Sequence, residues 1–174
     1  MFSVLAMDVS CAEFNLQTKL QGTAAKFRPH VTIVPRFVSV AGHDRSGTQA
    51  AWKFAIRRLM QFDGLLIEMR GIRWIGSDLA WYECDVDCLG RPALNALHSG
   101  ALEDLDADDL SLAEPSFVGN GYRPHLTMSW HAPGRCVEDL PHRIYVRPTS
   151  LSVYQYRGDP RRSAVERTSI MRIG

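Results

Sequence analysis

One seven-residue phrase occurs twice in this chain, and it constrains the fold more than any other feature. It reads Phe27-Arg28-Pro29-His30-Val31-Thr32-Ile33 in the first half and Tyr122-Arg123-Pro124-His125-Leu126-Thr127-Met128 in the second. Arg, Pro, His and Thr recur in register, and the other three positions exchange like for like. In each copy aliphatic residues alternate with His and Thr, the period-two pattern of a half-buried strand. Residues two apart on a strand share a face. His30 and Thr32 therefore point one way, as do His125 and Thr127, while Val31, Ile33, Leu126 and Met128 turn into the core.

Two such strands offer two imidazoles and two hydroxyls to one surface. Imidazole titrates nearest neutrality, so one His can accept a proton while the other, kept protonated, donates one. A pair of this kind flanking a phosphodiester can run an in-line displacement. Each Thr hydroxyl can hold a non-bridging phosphoryl oxygen. The chemistry requires no metal.

On these residues the chain resembles the 2H phosphoesterases, which include the proteins called 2′-5′ RNA ligases and the RNA 2′,3′-cyclic phosphodiesterases. Their signature is two His-x-Ser/Thr motifs flanked by hydrophobic residues, one in each half of the chain. Here these are His30-Val31-Thr32 and His125-Leu126-Thr127, 95 residues apart. The resemblance implies two lobes related by an approximate twofold, with the motifs facing each other across a central groove between mostly antiparallel sheets and with helices outside. It further implies that His30 protonates the leaving ribose oxygen, that His125 activates water, and that Thr32 and Thr127 hold phosphoryl oxygens, giving a 2′-phosphate.

Two extensions rest on the strand pattern. If period two holds across the prolines, Arg28 and Arg123 share the histidines' face and bind substrate phosphates, although proline can instead force a bulge that re-aims them. Tyr122 joins them as an expected substrate contact. Trp130 stands five positions after His125, where many of the RNA-end enzymes carry a basic residue. A 2′,5′-linked oligoadenylate or a cyclic nucleotide signal is therefore an alternative substrate to an RNA end. The two motifs are also compatible with a ligase-like protein acting in reverse and with a non-catalytic module that binds a nucleotide or an RNA end.

The 174 residues, 45% hydrophobic, suit one domain, 1–174, with a substantial core. Net charge is +1, so bulk electrostatics give no strong pull toward nucleic acid or membrane. Charge is unevenly spread: Asp78 to Glu114 holds ten acids and one base, and Arg143 to Gly174 seven Arg and two acids. Cys11, Cys84, Cys88 and Cys136 lack a disulfide-framework spacing, which predicts reduced thiols in a cytoplasmic protein. Asp8 interrupts the first apolar run, so no signal peptide is expected, and no stretch reaches transmembrane length. We expect a monomer without cofactor or metal. Cys84, Cys88 and the nearby carboxylates lack zinc spacing, and the acidic run from Asp104 lacks the Gly and Glu of a calcium loop.

Along the chain, the pattern predicts strands at Phe2–Val9, Phe27–Phe37, Leu65–Trp74, Leu79–Asp87, the second motif, Arg143–Arg147, Ser150–Arg157 and Ala164–Arg172. A short helix is expected over Ala12–Gln21. Longer helices are expected over Gln49–Phe62, with Trp52, Ile56, Leu59 and Met60 inward, and Arg91–Leu105, where His98 packs at an interface. The segments 40–48 and 115–121 read as loops. Helices segregated from antiparallel strands make the class α+β.

Overall fold

Apolar alternation carried by strands too short to fold alone has to be closed against neighbours, and here one sheet closes nearly all of it. The computed structural model describes residues 1–39, 46–75, 79–106, 110–130 and 140–173. Its strands are β1 (Phe2–Cys11), β2 (Gln21–Gly22), β3 (His30–Ser39), β4 (Ile67–Ile75), β5 (Leu79–Glu83), β6 (Leu110–Leu112), β7 (His125–Trp130), β8 (Arg143–Tyr156) and β9 (Glu166–Arg172), with helices α1 (Ser46–Arg58) and α2 (Arg91–Asp106). The strands form one sheet in the order β2-β7-β5-β4-β8-β1-β3-β6, with β9 on β8. Among the described pairings β2–β7 is parallel and the rest are antiparallel. The class is α+β, as expected.

Two features give the sheet its shape. β3 also pairs with β7, through Val31 and Leu126, so the sheet curls until the two repeated strands meet. β8 is long enough to serve both halves: Arg143–Val146 pairs with β4, and Val146–Tyr156 with β1. Its register slips once, since Asp8 lies opposite Ser150 and Val9 opposite Pro148, leaving Thr149 unopposed. This bulge accommodates Pro148 inside a strand and switches the parity of the residues after it.

Both helices cover one face. Ala51, Phe54 and Ala55 of α1 and Leu94, Leu97 and Ala101 of α2 join Leu5, Met7, Val31, Ile33, Leu126, Met128, Leu151 and Val153 in the main core. A smaller cluster of Val4, Ala6, Phe27, Tyr154 and Tyr156 lies on the opposite face.

Several sequence expectations need correction. The Ala12–Gln21 helix is a single 3₁₀ turn, Leu16–Lys19, capped by the Asn15 side chain. The two predicted strands over Arg143–Arg147 and Ser150–Arg157 are one strand, because the bulge absorbs Pro148. Helix α1 is present, but Trp52, Ile56 and Met60 are exposed, and Ala51, Phe54, Ala55 and Phe62 face inward. Close approach of α1 to the sheet selects its small residues over its large ones. β2 has no apolar pattern, and the single Leu-Ser-Leu alternation of β6 is too short to announce a strand. Of the loop expected at 40–48, residues 40–45 lie outside the described residues, as does Cys136, and Ser46–Thr48 already belong to α1.

Inversion of the α1 face has a measurable consequence. Phe54→Ala is expected to cost about 3–5 kcal/mol in urea unfolding, whereas Ile56→Ala costs less than about 1 kcal/mol.

Candidate active site

Both repeated strands begin at their histidine. Pro29 and Pro124 offer no N–H to a ladder and are buried, and each presents its carbonyl to the neighbouring strand. Val9 N–H donates to Pro29 O at 2.8 Å, and Cys84 N–H donates to Pro124 O at 3.0 Å. Beyond each proline the expected alternation holds. Val31, Ile33, Leu126 and Met128 are fully buried, while His30, Thr32, His125 and Thr127 are each partly exposed.

The antiparallel pair Val31–Leu126 joins the two motifs at their central residue. Carried one residue either way, this register sets His30 opposite Thr127 and Thr32 opposite His125. Cross-strand neighbours have Cβ atoms about 5 Å apart. A local twofold therefore runs between Val31 and Leu126 and relates two His-Thr pairs on one face.

Both imidazoles are held alike. His30 Nδ1–H donates to Arg28 O and His125 Nδ1–H to Arg123 O, each at 2.8 Å. A carbonyl can only accept, so Nδ1 carries the proton in both rings and Nε2 is left for a reacting group. Burial pushes both imidazoles below the ordinary histidine value, and the Nδ1 bonds pull them back up. His30 is raised further by Asp8 and lowered by repulsion from His125, and His125 is raised by Glu83. Two imidazoles that repel one another hold one proton between them over an intermediate pH range.

Flanking rings differ. Tyr154 lies 5.1 Å and Phe27 5.5 Å from the His30 ring, centroid to centroid. Trp81 lies 4.9 Å from the His125 ring. Half-buried Trp130 packs against Phe27 at 6.4 Å.

Arg28 and Arg123 are exposed, and neither side chain makes an ion pair among the described residues. Arg28 also lines a cavity of about 900 Å³ with Asp8, Ser10, Asn15, Gln17 and Thr149. Tyr122 does not share the open face. It is 5% exposed, stacks on His98 at 3.9 Å and donates its hydroxyl to Thr32 O at 2.9 Å. Its phenol therefore reaches Thr32 through the backbone and is walled off from substrate. His98, buried as expected, donates from Nδ1 to Ile33 O and accepts the Gly119 N–H at Nε2. His98 and Tyr122 thus tie the approach to the second motif to the strand of the first.

The pattern did not single out Asp8, Glu83, Trp81 or Tyr154. Asp8 pairs with His30 and Glu83 with His125 across the ladder. A lone carboxylate inside the apolar run Phe2–Val9 was the available signal for Asp8. Among the described residues no cluster of His, Cys, Asp and Glu is arranged to hold a metal ion. Cys11, Cys84 and Cys88 are free thiols.

Sequence comparison finds no matching family model and no matching curated protein. Solved structures do match. E. coli LigT complexed with 3′-AMP aligns over 97% of this chain and 96% of its own, with a TM-score of 0.51 at 14% identity. A structure described as a phosphoesterase aligns over 97% of both chains, with a TM-score of 0.50 at 14% identity. LigT complexed with phosphate aligns over 98% of this chain and 94% of its own, with a TM-score of 0.50 at 15% identity. At these identities the likeness shows a shared fold, and the chain has the LigT-like fold. No described helix is long and apolar enough to cross a membrane.

The placement of Tyr122 is testable. Tyr122→Phe keeps the stack on His98 and loses one hydrogen bond, for an expected cost of about 1 kcal/mol in thermal or urea unfolding. KM is expected to be unchanged, and a several-fold rise in KM would instead place the phenol against substrate.

Proposed function

We propose that this chain is a metal-independent phosphodiesterase that opens a 2′,3′-cyclic phosphate at an RNA end or on a nucleotide. The observation that carries the reading is the Val31–Leu126 crossing, which gathers two Nδ1-anchored imidazoles and two threonine hydroxyls on one face. Binding an anion needs donors. Two matched imidazoles, each with a free Nε2, suit proton transfer better than binding alone.

In this reading, His125 Nε2 takes a proton from water as the water oxygen bonds to phosphorus. His30, protonated on Nε2, gives its proton to the departing 3′-oxygen as the P–O3′ bond breaks. The product is a 2′-phosphate, and the two histidines end with their protonation states exchanged. Solvent resets them. Thr32 and Thr127 donate to the non-bridging oxygens, where charge builds up as water attacks. Arg28 and Arg123, exposed and without an ion pair among the described residues, bind flanking phosphates.

LigT has been crystallised with 3′-AMP, phosphate and NADP+, which supports a nucleotide or phosphate ligand on this fold. Trp130 beside Phe27 puts ring surface where a cation is common in the RNA-end enzymes. That favours keeping a 2′,5′-linked or cyclic oligonucleotide as the second candidate substrate. Free, buried Cys84 and Cys88 support a reducing, cytoplasmic setting.

Phosphorus NMR in EDTA tests the chemistry, with 2′,3′-cyclic nucleotides, an RNA ending in a cyclic phosphate and 2′,5′-oligoadenylate as substrates. Wild type is expected to convert at least one of them. His30→Ala and His125→Ala are each expected to lower kcat by 10²–10⁴-fold, about the contribution of one general acid or base. The double variant should be little worse than either, because the two act as a unit. Conversion that survives either substitution would sink the two-histidine mechanism.

The activity should follow a bell in pH. Both imidazoles are pushed below the ordinary histidine value, so the optimum is expected on the acid side of neutrality. A kcat/KM profile still rising above pH 8 would contradict this.

A further inference from the structure

The twofold does not stop at the repeated phrase. Asp8 lies directly across the ladder from His30, and the next residue, Val9, donates its N–H to Pro29 O. Glu83 lies directly across from His125, and the next residue, Cys84, donates its N–H to Pro124 O. Each motif strand is thus bound in the same way to a neighbour that places one carboxylate beside the imidazole. No part of the repeated phrase contains these acids, and their surroundings in sequence are unlike.

Each carboxylate is backed by a guanidinium. Asp8, 1% exposed, accepts from Ser150 Oγ and Ser152 Oγ at 2.7 Å, from Tyr154 Oη at 2.5 Å, and from Arg167 Nε at 3.0 Å. The Tyr154 ring that donates to Asp8 is the one packed against His30. Glu83 pairs with Arg73 at 2.8 Å, and Arg73 is 55% exposed and also reaches Asp85. A buried carboxylate is costly unless paired, and both acids sit where the charge of an imidazolium would be felt.

We propose that Asp8 and Glu83 are matched positioning residues, each governing the proton affinity of the imidazole opposite it, Asp8 for His30 and Glu83 for His125. This rests on the reading that the two imidazoles exchange protons with substrate. Among the described residues, the charged and titratable groups around His30 are Asp8 on β1, Tyr154 on β8, Arg167 on β9, His125 on β7 and Arg28 in its own lead. Around His125 they are Glu83 on β5, Arg73 on β4, His30 on β3 and Arg123. In each set one acid lies across the ladder, and each acid raises its own imidazole.

The test is an NMR titration of the histidine ring protons of the full chain, without substrate, in wild type, Asp8→Asn, Glu83→Gln and Arg73→Gln. Asp8→Asn should lower the His30 midpoint by about one pH unit and leave His125 unchanged or slightly raised, since the rings repel one another when charged. Glu83→Gln should do the converse. Arg73→Gln, at a half-exposed site, should raise His125. Folded variants in which both midpoints fall together, or neither moves, would overturn the proposal. If Asp8→Asn does not fold, the two β4–β5 variants decide it by the same criterion.

A second readout separates this inference from the proposed function. With His30 as acid, Asp8→Asn draws in the alkaline limb of the kcat/KM bell, and with His125 as base, Glu83→Gln extends the acid limb. The selective titrations in a protein that converts no diester would overturn the proposed function and keep the pairing. Conversion by wild type with unselective titrations would do the reverse.

Discussion

The structure depends on the antiparallel contact between Val31 and Leu126. Because the two strands carry the same His-x-Thr motif, meeting at its middle residue pairs each His with the other copy's Thr. A slip of one residue by either strand would turn its His and Thr into the core and expose its two aliphatics. Complete burial of Val31, Ile33, Leu126 and Met128 therefore fixes the register as firmly as any hydrogen bond. The main core holds the site in place simply by refusing the alternative pairing.

The crossing needs a sheet that curls far enough to bring its distant parts together, and β8 supplies the tie. Its first residues pair with β4 and the remainder with β1, so the two motif-bearing halves share one strand. The unopposed Thr149 matters to the site as well as to the sheet. Before it, Ile144, Val146 and Pro148 face the core; after it, Leu151 and Val153 do. That change of parity turns Ser150, Ser152 and Tyr154 toward Asp8. Without the extra residue, Asp8 would face buried aliphatics.

Much of the candidate site was legible because its four histidine and threonine side chains lie within two short stretches, where period two alone says which residues share a face. Cross-strand partners were not legible in that way. Asp8 with Ser150 and Arg167, or Glu83 with Arg73, meet only through the register of strands that a local pattern cannot pair. Tyr122 misled for a related reason. It precedes its strand by three residues, outside the alternation, and its ring turns to His98 on a helix. On α1 two apolar stripes interleave, and side-chain size pointed to Trp52 and Ile56. The helix packs instead on Ala51 and Ala55, with Phe54 between them, because small residues allow it to sit close to β3, β8 and β9.

In a perfect twofold the two imidazoles would be equivalent, and only a bound ligand could tell them apart. Two imidazoles in identical surroundings share their single proton equally, and half of the molecules would hold it on the wrong ring at any moment. The departures from symmetry are what distinguish the two imidazoles. Around His30 the carboxylate is sealed under Tyr154, Ser150, Ser152 and Arg167, with Phe27 beside the ring. Around His125 the acid answers to an arginine that is half in water and shared with Asp85, and the ring beside the imidazole is an indole. Solvent screens the second pair more than the first. The field of Asp8 is accordingly fixed by structure, while that of Glu83 can relax as substrate displaces water. That inequality makes the two copies of a duplicated motif electrostatically distinct.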